Sequence, residues 1–282
     1  MKTLITTIFT TLLLTFTTVY GQTYEPLDLA KKIFSKETLP NIENYVSGEY
    51  KGKPNGKDLQ NGTVTKFALL GQTDKTAVVG LTVLDTLGKG FDTYLHFEKE
   101  TSWKMNAFRA LAMTGMIEQI KIELEKMTPQ QVDEMIEKSK KNKNKDFEMF
   151  KSKEDYNFQL GNVKLTLELD ENIIKHFLTN QSEFERLKNL ALTQLEKEKV
   201  DEERSLKLIE TSKIDYNKLF ISSVSTGGYK LGNCINFLIG GMLDNSVGYF
   251  YVKDKKDLPE MNLSRIIMIR EIGNGWYIYK TT

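Results

Sequence analysis

The chain has 282 residues, 40% of them hydrophobic and 27% charged, with 39 Lys and Arg against 38 Asp and Glu for a formal net charge of +1. That apolar content excludes an intrinsically disordered chain, and a mean hydropathy of −0.39 excludes a multi-span helical membrane protein. The charge balance supplies no field that would gather nucleic acid or acidic lipid, so no nucleic-acid partner is expected.

Residues 1–21 read as a secretory signal peptide. Lys2 is basic, residues 4–20 carry no charge, and Val19 and Gly21 suit a cleavage site before Gln22. The apolar run is short for a membrane span and diluted by threonine. The expectation is export to the periplasm or the exterior, with no membrane span after cleavage. Loss of Lys2 takes the net charge to zero. Cys234 is the single cysteine, so no intramolecular disulfide can form. Stability must come from an apolar core, and Cys234, inside an apolar run, reads as a buried inert thiol.

The first helix signal follows Pro26, where Leu27, Ala30, Ile33 and Phe34 recur at helical spacing. A second short helix is expected over 42–46, then a Gly/Lys/Asn-rich loop to Gly62. The period then changes to two. Strands are expected over 63–71, 75–85, 91–100 and 103–108, forming an antiparallel meander with one buried face. Helices return at 111–127 and after Thr128-Pro129-Gln130-Gln131, a capping box with proline at the first helical position. Lysines crowd 138–145 and read as a solvated helix end.

Beyond this point a linker is expected at 146–163 and a short strand at 164–168. Asp170 is placed to cap a helix carrying Ile173, Ile174 and Phe177. A longer helical stretch is expected over 181–209, with its charged end at 196–204 facing solvent. Five strands are then expected, at 219–224, 234–242, 247–252, 265–270 and 276–280, with turns at Asp244-Asn245 and Gly273-Asn274-Gly275. The fold class is therefore α+β: helices packed on curved antiparallel β-meanders, in two such units joined by a helical middle segment. The domains would be 22–145, with trailing helices, and 164–282. The halves resemble each other. Residues 93–97 match 248–252, and the strand opening at Trp103 matches the one opening at Trp276, if the second half carries an insertion near 256–260.

The helices and meander of residues 27–110, with Gly88-Lys89-Gly90, Tyr94-Leu95-His96-Phe97 and Trp103-Lys104-Met105, resemble the nuclear-transport-factor-like, cystatin-like α+β superfamily. The resemblance implies a curved sheet wrapped around a helix. It also implies that any acid–base pair would line the concave apolar face. The last 35 or so residues resemble the tails of uncharacterised exported bacterial proteins, which implies no activity.

The catalytic inventory is sparse. There is no phosphate-binding loop, no nucleophile elbow, no H-E-x-x-H and no C-x-x-C. Two histidines and one cysteine do not build an ordinary structural zinc site, so neither metal nor cofactor is expected. His96 is the best general-base candidate, with Asp92 as its acid–base partner. Alternation, however, puts His96 on the face opposite Phe91, Leu95 and Phe97, pointing outward. His176 reads as a helix-end histidine. Tyr249, Tyr251, Trp276, Tyr277 and Tyr279 form dense aromatic strands that serve either as core or as a recognition surface. The leading expectation is an exported, non-enzymatic binding module for a protein, peptide or apolar ligand. The alternatives are a nuclear-transport-factor-like small-molecule enzyme using His96 and Asp92, and a structural envelope component.

Overall fold

The computed structural model describes residues 23–141, 150–198, 205–227 and 234–282. The expected signal peptide, the end of the lysine run, the start of the expected linker and part of the charged stretch at 196–204 lie outside the described residues.

Helix α1 (Pro26–Ile33) starts on a proline, carries Asp28 in its first turn and Lys31 and Lys32 in its last, each placed to suit the helix dipole. It lies on a sheet of four antiparallel strands, β1 (Val64–Gln72), β2 (Thr76–Leu84), β3 (Gly90–Lys99) and β4 (Trp103–Arg109), in plain sequence order. The expected alternation builds the interface. Ala77, Val79, Leu81 and Val83 of β2, Leu95 and Phe97 of β3, and Trp103 and Met105 of β4 pack with Leu29, Ala30 and Ile33. Residues 46–50 close the outer edge of β4. The Ser47 amide donates to the Met105 carbonyl at 2.9 Å, and the Glu49 and Tyr50 amides donate to Asn106 at 3.0 Å each. Edge pairing of this kind removes a site for unwanted strand addition.

The opposite face of this sheet is not left to solvent. Val78 and Tyr94 belong to the core of the second half, and His96 is only 5% exposed. The expectation that His96 points outward is therefore corrected. Alternation places a residue on a face, but it cannot say what covers that face.

Helices α2 (Thr114–Lys126), α3 (Pro129–Lys141) and α4 (Lys153–Thr166) follow. The capping box forms before α3: the Thr128 amide donates to Gln131 Oε1 at 2.8 Å and the Gln131 amide to Thr128 Oγ1 at 3.3 Å. The linker and strand expected between 146 and 168 are overturned from residue 153 onward, where α4 forms behind a Ser152 cap. Its Leu160, Val163 and Tyr156 pack against Leu124, Val132, Ile136 and Phe150 in a small separate core. Gly161 lets α4 press close to Phe220, because a Cβ there would stand 2.1 Å from the ring carbon Cε1. Gly161→Ala is expected to lower stability by about 1–3 kcal/mol through overpacking, against the usual helical gain from alanine. Urea unfolding followed by circular dichroism measures it.

The second half places α5 (Asp170–Thr179), α6 (Gln181–Leu195) and α7 (Lys213–Lys218) beside a six-stranded antiparallel sheet. Its strands are β5 (Leu206–Lys207), β6 (Ser223–Thr226), β7 (Ile235–Met242), β8 (Asn245–Tyr251), β9 (Ile266–Gly273) and β10 (Trp276–Thr281), ordered β5-β6-β7-β8-β10-β9. The chain therefore skips a position after β8, lays β9 at the edge, and returns with β10 between them. The sub-order β6-β7-β8-β10 runs as β1-β2-β3-β4 does. Between β8 and β10, where an insertion is expected near 256–260, the chain forms a loop and the edge strand β9.

The expected strand at 219–224 starts only at Ser223, because α7 and its turn occupy the residues before it. Aromatic packing of Phe177, Phe184, Phe237, Tyr249 and Trp276 fills the helix-facing core. Among the described residues no helix is long and apolar enough to cross a membrane.

Candidate functional site

Two features lie where the halves meet: a buried polar junction and an open groove. The junction is built on β3, α5 and β10. Lys280 continues the β10 face of Trp276 and Ile278, so its ammonium reaches the start of α5. Its Nζ stands 2.8 Å from Asp170 Oδ1, and the two side chains are 5% and 6% exposed. The Tyr94 hydroxyl donates to both Asp170 oxygens, at 2.9 and 3.1 Å.

Asp170 does not cap its own helix, as the sequence had suggested. Asp170 is the first helical residue, and its amide donates to Asp92 Oδ2 at 2.6 Å. A carboxylate 78 positions upstream on β3 thus supplies the cap. Thr82 Oγ1 donates to the other oxygen of Asp92 at 2.5 Å. Burial, then the charge of Asp170, pushes the Asp92 carboxyl above its usual range. Burial also holds the Tyr94 phenol well above its usual value, so it remains a donor. A cavity of about 140 Å³ opens beside Lys280 and Asp92, and one of about 50 Å³ beside Asp92, Asp170 and Arg270.

His96 and Asp92 share a strand face, but four residues of strand separate them, about 13 Å, and no hydrogen bond joins them. His96 Nε2 instead lies 3.0 Å from the Ile267 carbonyl on β9. A carbonyl only accepts, so Nε2 carries the proton and the ring is a neutral clip between the two sheets. Burial lowers its pKa to about 4. His96 lines none of the cavities described for the chain. His176, at the end of α5, makes the same kind of bond to the Leu219 carbonyl at 3.1 Å and stacks on Phe220.

The five aromatic candidates separate by face. Tyr249 and Trp276 lie in the helix-facing core, where the Tyr249 hydroxyl donates to the Ile173 carbonyl and Trp276 Nε1 to Glu185. Tyr279 is buried on the other face, stacked 3.9 Å on Phe250, with its hydroxyl donating to Asn236. Tyr251 is half-buried under Lys188, whose Nζ stands 4.8 Å from the ring centroid. These four do not form an exposed surface, because helices cover one face of the sheet and loop residues Leu258 and Met261 pack on the other.

Tyr277 differs from them. It is 4% exposed and lines the groove. Burial raises its pKa, with Glu271 adding to the shift, so it stays protonated.

The groove encloses about 780 Å³ between the β1–β2 hairpin and the loop from β8 to β9. That volume falls within the range of ligand sites. Its apolar lining comes from Leu70, Val78, Leu258, Met261 and Ile269. Its rim carries Asp74, Lys75, Lys255, Glu260 and Glu271. Lys255 and Glu271 pair with each other at 3.5 Å. Cys234, packed near Tyr277, has its thiol pushed up to about 12 by burial and is no nucleophile at neutral pH.

The sequence did not mark the groove, because its walls come from segments some 180 residues apart and 256–260 reads only as an insertion. Lys280 was legible as a strand residue and nothing more. Compared with family models, curated proteins and solved structures, the chain matches none.

Proposed function

We propose that the chain is an exported, non-enzymatic binding module for a protein, peptide or apolar ligand, with the groove over Tyr277 as its binding site. The carrying observation is a groove of about 780 Å³ with an apolar floor open to solvent, lined by Tyr277. An apolar cleft of this size with a few polar groups on its wall is the usual form of a ligand site. The signal-like residues 1–21 support export. The helix-on-meander form of the first half supports the likeness to the nuclear-transport-factor-like superfamily. Asp92 and His96 are each held by bonds that serve the fold, which weighs against the enzyme reading.

The test is titration with 8-anilinonaphthalene-1-sulfonate, a dye that brightens in apolar sites. Wild type is expected to bind it, and Met261→Asp to weaken binding at least fivefold with an unchanged circular-dichroism spectrum. Undiminished binding by Met261→Asp, or none by wild type, contradicts the proposal.

A further inference from the structure

We infer that the occupant of this groove is a small uncharged amphiphile, an apolar chain ending in a hydroxyl or carbonyl oxygen; the inference rests on the groove being the binding site. The walls argue against a larger partner. Strands β1 and β9, outermost in their sheets, pack against each other. The groove therefore lies over the sheet face that carries Ile269, Glu271 and Tyr277, and it offers a peptide no strand edge to pair with. Met261, on the loop before β9, reaches across to the hairpin, where a Cβ on Gly71 would stand 2.7 Å from its Cε. The loop and the hairpin thus meet above the floor, which makes a slot of about 780 Å³ and not a flat docking face. A slot of that size takes a small molecule.

The charges decide the head group. The rim carries two lysines, Lys75 and Lys255, against three acids, Asp74, Glu260 and Glu271. Lys255 is already paired with Glu271 at 3.5 Å. An anionic head would meet an excess of carboxylates. A cationic head gains little, because exposed charges at such a rim are screened. Polar groups of the hairpin are engaged as well. Gln72 Nε2 donates to Glu25 at 3.2 Å, and the Thr73 and Thr76 hydroxyls bond each other at 3.0 Å. Tyr277 stays protonated and lines the groove beside Leu258, Met261 and Ile269. Its hydroxyl is the donor that an oxygen at the end of an apolar chain would meet.

The test is displacement of 8-anilinonaphthalene-1-sulfonate from the full protein at pH 7 by 1-hexanol, 1-octanol and 1-decanol, and by decanoate and decyltrimethylammonium. The inference predicts that 1-decanol binds at least fivefold tighter than either ion. Each added pair of methylenes is expected to tighten binding at least fivefold as more of the chain is buried. Tyr277→Phe is expected to weaken 1-decanol three- to tenfold, the loss of about one hydrogen bond, with an unchanged circular-dichroism spectrum. A smaller gap between the heads, a flat chain-length series or an indifferent Tyr277→Phe overturns the inference. So does a failure of all three alcohols to displace a dye that still binds and is still weakened by Met261→Asp, and that result leaves the groove reading standing. No dye binding by wild type overturns both.

Discussion

Replacing Lys280 with methionine is expected to lower stability by about 3–5 kcal/mol, the cost of leaving a buried charge without its partner. Lys280 and Asp170 are each about nineteen-twentieths buried. Without the ammonium, the Asp170 carboxylate keeps only the Tyr94 hydroxyl, beside the second carboxylate of Asp92. Asp170 must then protonate or draw in water, and either disturbs the start of α5. Methionine keeps the apolar stem, so the loss reports the charge rather than the packing. The double variant Lys280→Met with Asp170→Leu is expected to recover most of the loss, since an apolar pair of similar volume is often neutral in such a site. Urea denaturation of the three variants measures both effects. A loss below about 1 kcal/mol for Lys280→Met would mean that the pair is screened as a surface pair is.

Acid is expected to weaken the fold through His96. In the folded protein the ring stays neutral down to about 4, whereas in the unfolded chain it takes a proton near 6.5. Between these values the unfolded state binds more protons, so stability falls as pH drops from about 6.5 toward 4. The shift corresponds to about 3 kcal/mol across that window. His176 is lowered in the same direction by burial and adds to the slope. Asp92 opposes it. Its raised pKa makes the folded state the stronger proton binder just above the ordinary carboxylate range, so its contribution is lost as pH rises through that range. Arg109 also faces His96 and disfavours a second charge there. The attribution therefore rests on a difference. His96→Gln can still donate to the Ile267 carbonyl but does not titrate, and it is expected to flatten the slope of stability against pH between 6.5 and 4. Equal slopes in the two proteins would place the acid sensitivity elsewhere.

Most of the architecture was legible because local signals carried it. The period-two runs from Val64 to Arg109 became four strands in their expected places, and the Thr128–Gln131 box opened α3. The misreadings have a common cause, contacts between distant segments. The stretch 164–168 alternates as a strand does, yet the partners of Leu165 in the main core and of Leu160 and Val163 beside α2 and α3 make the segment a helix end. Asp170 has the chemistry of a helix cap, but Asp92 takes that role and frees Asp170 to meet Lys280. His96 looked solvent-facing because nothing in β3 reveals that β9 lies over it. The aromatic strands were recognised as dense. Which tyrosine would line the groove depended on where β9 and its loop settled, and that is written in no local pattern.

The junction and the groove divide the work between them. Lys280, Asp170, Tyr94 and His96 fix the two sheets relative to each other, and the groove is the space that arrangement leaves between the β1–β2 hairpin and β9. The most direct measurement is an amide chemical-shift map of the protein titrated with 8-anilinonaphthalene-1-sulfonate. Shifts are expected to concentrate at Leu70 to Val78, Lys255 to Met261, and Ile269 to Tyr277. Shifts centred instead on exposed apolar residues elsewhere, such as Ile214 or Leu243, which are 75% and 85% exposed, would contradict the groove as the binding site.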